Sequence, residues 1–472
     1  MGEAPTSVAA TLDTAAMAAL RSSVAGRVVT PADDDYDRAR RIFFDGYERR
    51  PAAIVRVADV DDVPPVLDVA RSTGVPLAIR SGGHSVHAVC DDGIVLDLSG
   101  LRALDIAPER RTATAQPGVT AAQYTNAAAA FGLATSFGDT GSVGLGGLVL
   151  GGGIGFLVRK HGLTIDDLTA VEMITSSGEQ LRVDGCSHAD LFWALRGGGG
   201  NFGVVTRLHL RLHRVDPIVG GTLILPATPA TIAGFLVAAD AAPDELSTKV
   251  NVMPIPPMPG VAEEHYGRMG LWATMVFAGN IGTAETVYAP FRALATPLAD
   301  LIRTMPYAQI FEPDDENYHP RAMSRTFFTD ELLDEKKAAA LLAHLDSSTA
   351  MVPVAQLRVL GGAMTQVPED ATAFAHRGRK MMVSVAAVHE SPDETDAHRS
   401  WVDGIAAELR SPRPGAYVNF LYDDGPARLG EAYPPWTWDR LARIKQRYDP
   451  TNLFRVNVNV PPGAAHPGPS DG

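Results

Sequence analysis

The chain has only two cysteines in 472 residues, Cys90 and Cys186. Two cannot form a disulfide framework for a chain of this size, and neither has metal-ligand spacing. Both read as reduced, buried thiols. Clustered basic residues are also missing, and the net charge is −14. A grip on nucleic acid needs Lys and Arg gathered on one face, so that partner is excluded. The N-terminus carries Glu3 and Asp13, with neither a basic start nor a continuous apolar stretch. No secretory signal is therefore read, and a cytoplasmic location is expected. The one long charge-free run, residues 140–158, holds eight glycines in nineteen positions. A membrane helix needs larger apolar side chains at most positions, so this run predicts a buried strand–turn–helix and no membrane partner. No metal centre and no internal repeat are expected.

What remains is an ordinary globular composition, 46% hydrophobic and 20% charged, long enough for two substantial lobes. Residues 1–50 read as a leader with an Ala-rich helix from Leu12 to Val24. From Pro51, strands (53–57, 75–79, 93–98) alternate with helices (61–72, 119–131), the latter capped by Thr120. A hairpin turns at Ser176-Ser-Gly178, followed by a helix over 188–195 and a strand over 203–212. Beyond Val215 the pattern changes to longer amphipathic helices (229–241, 282–294, 330–345, 393–409) among strands (272–277, 356–360, 382–388). The expected division is 1–214, then an inserted domain 215–415, then a return over 416–472. That return ends in a helix (439–448), an Asn-rich strand and a disordered Gly/Pro tail from 463.

Arg80-Ser-Gly-Gly-His-Ser85 sets a histidine in a loop between two strands. Adjacent glycines let backbone N–H groups close on an anion, and Arg80 is read as added positive charge. A second cluster runs from Val143 to Gly155, and a third spans Leu191-Phe-Trp-Ala-Leu-Arg-Gly-Gly-Gly-Gly-Asn-Phe-Gly-Val-Val-Thr206. Apolar residues interleave the second, as in packed backbone. A Rossmann site is disfavoured, because no cluster opens the early strand–helix–strand unit with an acidic residue about twenty positions on.

In order and spacing, the three clusters together with Tyr448-Asp-Pro-Thr-Asn-Leu-Phe-Arg-Val-Asn-Val-Asn459 resemble the berberine-bridge-enzyme-like FAD-linked oxidases of bacteria. The resemblance covers nearly the whole chain. It implies an α+β fold: a two-subdomain FAD-binding domain with an inserted antiparallel-sheet substrate domain backed by helices. It implies FAD bound covalently through His84. Many relatives make a second bond from a cysteine, and here Thr140 stands at that position, so one link is expected. The cofactor contacts it implies are Arg80, Ser81, Gly82, Gly83, His84 and Ser85 in the first loop. In the second they are Asp139, Thr140, Gly141, Val143, Gly144, Leu145, Gly147, Gly152 and Gly155. Val204, Asn419, Asn457 and Asn459 complete the set. Val143, being modest in size, is expected to leave room for O2.

The substrate side departs from the family. Relatives carry a catalytic tyrosine in Tyr-Xaa-Asn-Tyr, whereas this chain has Tyr417-Val-Asn-Phe420. Tyr417 and Tyr422 are the available substitutes, and each reads equally as a packing tyrosine. Gln356 and Arg358 alternate on a strand and would face the flavin if that strand roofs the site; otherwise they belong to a solvated sheet face. His376 reads as structural. The function implied is hydride transfer from a small, specialised-metabolite substrate to flavin, with O2 as acceptor and H2O2 as product. An oxygenase using a flavin N5-oxide and a flavin-binding protein without turnover stand as alternatives.

Overall fold

The computed structural model describes residues 11–215, 217–311, 315, 317–422 and 425–468. Residues 1–10 of the leader and 469–472 of the tail lie outside the described residues, as does Asp216 at the expected domain junction. The helix Thr14–Ser23 is capped by Asp13, whose carboxylate accepts from Ala16 N–H at 2.7 Å. Helix Val63–Thr73 buries Val63, Val66, Leu67 and Ala70, the stripe that its 3-1-3 spacing dictates. It ends at Gly74, whose φ of 72° is a left-handed cap. This helix covers a four-stranded sheet in the order 27–29, 53–56, 94–97, 77–80, the last three mutually parallel.

A second, antiparallel sheet has the order 104–107, 112–115, 204–211, 168–174, 180–184. Helix Ala121–Ala129 begins in a full capping box between Thr120 and Gln123. The third sheet holds the strands from Ile218 to His389, all antiparallel, with 246–254 and 352–359 at its centre. On 246–254, Val250 and Val252 turn into a core shared with helices 229–241, 335–346 and 395–409. Lys249 and Asn251 turn the other way, as alternate strand residues must. Among the described residues no helix is long and apolar enough to cross a membrane.

Three local expectations are corrected. The charge-free run contains no strand: it is a turn, then helix Leu145–Gly151, because consecutive glycines leave no side chains to build a pleated ladder. The Asn-rich segment is not a strand either. Val456 makes a single bridge to Ala78, and the chain bends at Asn457. Of the two thiols read together as buried, Cys90 is buried, and Cys186 is exposed, as its surface-type turn implies.

Candidate active site

The first two glycine loops cross in contact. A Cβ on Gly82 would lie 2.3 Å from Gly144 N, and one on Gly144 would lie 2.3 Å from Ser81 Oγ. Only two hydrogens fit between these backbones. Gly83 follows with φ 77°, and its carbonyl accepts from Phe43 N–H at 2.9 Å. The chain is thereby turned so that the half-buried His84 imidazole stacks on Phe43, centroids 4.3 Å apart and planes 20° apart. Ser85 accepts from His87 N–H and caps the short turn that follows.

The crossing forms one wall of a cavity of about 370 Å³. Ser81, Gly82, Gly83, His84 and Ser85 line it, as do Asp139, Thr140, Val143, Gly144 and Gly147. The third cluster supplies Gly199, Gly200 and Asn201, and the C-terminal return supplies Tyr417, Asn419, Phe420, Tyr422 and Asn457. Gly147, Gly199 and Gly200 have open space where a Cβ would stand, so bare backbone faces the cavity at three points. The Asn457 amide donates to Gly200 O (3.2 Å) and Phe454 O (2.9 Å), while its Oδ1 is buried without a partner. A buried acceptor left unmet at a cavity wall is a place for a ligand donor.

Tyr417 also lines the cavity. Its hydroxyl oxygen accepts from Gly153 N–H at 2.8 Å and from Asn419 Nδ2 at 3.0 Å. Asn419 is itself held by Leu148 O at 3.1 Å. Burial pushes the Tyr417 pKa up, against the pull of these N–H donors and of Arg358. The element carrying Tyr417 and Tyr422 is a 3₁₀ turn, Val418–Phe420, and not a strand. Tyr422 therefore does not repeat the placement of Tyr417. It packs edge-on against Phe44, centroids 5.6 Å apart.

Every lining residue comes from the first or last part of the chain, and none from 215–415. Gln356 and Arg358 thus do not face the cavity directly, contrary to expectation, nor do they lie on a solvated face. Arg358 Nη2 pairs with Asp139 Oδ2, Nη1 donates to Ile154 O at 3.2 Å, and Nε donates to Gln356 Oε1 at 2.9 Å. Gln356 in turn donates to Asn251 Oδ1 at 3.2 Å, and Lys249 reaches Asp139 at 3.0 Å. Burial pushes the Asp139 carboxyl up, but Arg358 and Lys249 outweigh it and hold the pKa well below the ordinary range. The guanidinium is committed to that carboxylate and is not free to hold a substrate anion.

Other expected contacts fall behind the wall. Arg80 is spent on Asp97 at 2.7 Å and on Ala39 O at 2.8 Å, so it adds no charge to the loop. Leu145 is buried and its N–H is taken by Val119 O, while the Gly141 carbonyl receives Ala122 N–H. Gly152 and Gly155 serve packing: a Cβ would meet the rings of Phe374 and Tyr417 at 3.1 Å in one case and Phe137 O in the other. Val204 points into the core, and its neighbour Val205 lines the cavity, a one-residue slip that strand alternation turns into the opposite face. Asn459 does not reach the cavity either. Burial pushes the Cys90 thiol up to about 12, an unreactive state. His376 is buried and donates from Nε2 to Ala432 O at 3.1 Å. The sequence does not single out Phe43, which lies 41 residues before His84 in no motif, nor Gly199 and Gly200 within the third cluster.

A cavity with bare glycine backbone, a histidine and a buried phenol in its lining suits a phosphate-bearing cofactor. Residues 51–184 match the FAD binding domain family, and 416–461 match the family "berberine and berberine like". The chain is 29% identical to the FAD-linked oxidoreductase YgaK of Bacillus subtilis, over 94% of this chain and 98% of that one. It is 27% identical to (R)-6-hydroxynicotine oxidase of Paenarthrobacter nicotinovorans, covering 93% and 97%. The structure of 6-hydroxy-D-nicotine oxidase from Arthrobacter nicotinovorans superposes with a TM-score of 0.82 at 26% identity, covering 93% of this chain and 98% of that one. The chain carries both of these family matches, resembles the berberine-bridge-enzyme-like flavoenzymes along nearly its whole length, and is an FAD-dependent oxidoreductase with an α+β fold. Its site fits FAD: the open glycine backbone can be approached closely by a pyrophosphate, and Asn457 Oδ1 awaits a donor.

Proposed function

We propose that the protein is an FAD-linked oxidase acting on a small molecule, with O2 as the final acceptor. Bound FAD would supply the redox chemistry, taking hydride at N5 and passing two electrons to O2 to give H2O2. His84 would tether the cofactor by a single covalent link. Its half-buried imidazole on the cavity wall, stacked and aimed by Phe43, is the observation that carries this reading. Thr140 lines the cavity where relatives have their second, cysteine link, and a hydroxyl cannot make that attack. The proposed division is a cofactor domain, 1–214 with 416–472, and a substrate domain, 215–415.

Tyr417 would position or deprotonate the substrate. Its oxygen already accepts two N–H bonds, so its own proton is the group left to exchange with a ligand. Because Phe420 replaces the family's ionisable residue, a substrate that enters as an anion suits the site better than a neutral sugar. Phenols, enols and β-dicarbonyls are of this kind, and one relative is named for hydroxynicotine. Acid-precipitated holoprotein should stay yellow, with flavin on one peptide that contains His84. His84→Ala should release its FAD into the supernatant. Flavin on any other residue, or free FAD from the wild type, overturns the single tether.

A further inference from the structure

We propose that His389, Glu394 and His398 form a binding site for one divalent cation of the zinc class, remote from the cavity. The three come from consecutive pieces of chain: the end of strand Met381–His389, the 3₁₀ turn Pro392–Glu394, and the first turn of helix Thr395–Leu409. Their ligating atoms all lie within 4.8 Å of one another. Both imidazoles are 2% exposed, and the Nε2 of each is buried without a hydrogen-bond partner. Two adjacent buried nitrogens with nothing to bond are costly, and a cation would relieve both.

The protonation pattern suits ligation. His389 Nδ1 lies 2.9 Å from Ser391 O, and a carbonyl can only accept, so Nδ1 carries the proton and Nε2 presents its lone pair. A ligating histidine that gives its other N–H to a backbone carbonyl is the usual outer arrangement of metal sites. Glu394 brings the compensating charge, Oε2 at 3.9 Å from His398 Nε2, and with its side chain 53% exposed it opens the site to solvent.

Two imidazoles and one carboxylate select zinc and its neighbours over calcium or magnesium, which prefer all-oxygen sets. Tetrahedral bonds of about 2.0–2.1 Å put ligand atoms about 3.3 Å apart, so the three need close inward by about 1 Å, with water as fourth ligand. Arg321 pairs in register with His389 and opposes a cation, but its guanidinium is held by Asp45 at 2.8 Å. No lining residue of the cavity belongs to this group. The bound cation would tie the strand to the helix that backs it and would not touch the flavin chemistry.

The test uses chelator-treated, FAD-loaded protein titrated with Zn²⁺ by calorimetry, with Cys186→Ser in the background to remove the exposed thiol. One saturable site is expected, with a Zn²⁺-dependent rise in thermal midpoint and a nitrogen/oxygen coordination shell by X-ray absorption. Glu394→Gln, His389→Gln and His398→Gln should each weaken binding about tenfold or more. Glu394 is half exposed, so its variant reads the site without risk to the fold. Absence of saturable binding overturns the proposal. So does binding of wild-type affinity in Glu394→Gln and His398→Gln.

Discussion

At the scale of single residues, the arrangement around Tyr417 leads to a pH prediction. Burial raises its pKa, so Tyr417 holds its proton across neutral pH and releases it only in the alkaline range. If it is the base, anaerobic flavin reduction should rise with pH into that range, and Tyr417→Phe should slow it by about 10²–10⁴. An acidic substrate entering as its anion gives a different profile. The rate then rises through the substrate's own, lower pKa, and that midpoint survives Tyr417→Phe. Stopped-flow reduction on a panel of phenols and neutral sugars separates the two. Fast reduction by sugars in Tyr417→Phe would remove Tyr417 from the chemistry. Val143, on the cavity wall, is the second residue-scale case. Val143→Leu adds one methylene and is expected to slow reoxidation by O2 while anaerobic reduction stays nearly intact. An equal change in both half-reactions would mean Val143 does not control oxygen access.

At the scale of elements, the crossing of the first two glycine loops decides whether a cofactor site exists. An added methyl on Gly144 would lie 2.4 Å from Gly82 N and 2.9 Å from Gly82 Cα, backbone that no side-chain rotation can move aside. Gly144→Ala is expected to force the loops apart at about 1–3 kcal/mol, an overpacking cost, and to leave protein poor in FAD. Gly185→Ala, facing open space away from the cavity, should fold and hold FAD normally. Flavin content and thermal melting of the two variants check this directly. If both retain FAD equally, the contact is not what shapes the site.

At the scale of the whole molecule, the third sheet is tied to residues 1–214 by ionic contacts that include Arg321–Asp45 and the buried junction Arg358–Asp139–Lys249. Asp139 has a depressed pKa in the folded protein, so its stabilising contribution is complete above the unfolded carboxyl value near about 4. It is lost as pH falls below that value toward the folded pKa. Acidification should therefore loosen the junction below about pH 4, and Asp139→Asn should flatten that part of the stability–pH curve. Arg358→Ala leaves the carboxylate buried, with Lys249 as its remaining charged partner. The expected loss is at or below the low end of the about 3–5 kcal/mol typical of broken buried pairs. Denaturant melts across pH report both, and an unchanged curve in Asp139→Asn would show that the junction carries no net stability.

The sequence by itself determined many of the elements and the family resemblance. Helix faces such as Val63/Val66/Leu67/Ala70, the Thr120 cap and the glycine runs are local signals, set by periodicity and by the φ or close approach that only glycine allows. It also placed His84, Thr140, Val143, Tyr417 and Asn457 at one site, all of which line the cavity. Tertiary structure alone decided where charges are spent. Arg80 and Arg358 stand in cofactor and substrate positions by motif, yet Asp97 and Asp139, 17 and 219 residues away, take them. Strand phase was likewise invisible: Val204 and Val205 are equivalent in sequence, and only the pairing of 204–211 with 168–174 sends them to two different buried clusters, of which Val205's borders the cavity. Partners remote in the chain are chosen by packing, which no local pattern encodes, and so the wall of this site, unlike its motifs, is a property of the fold.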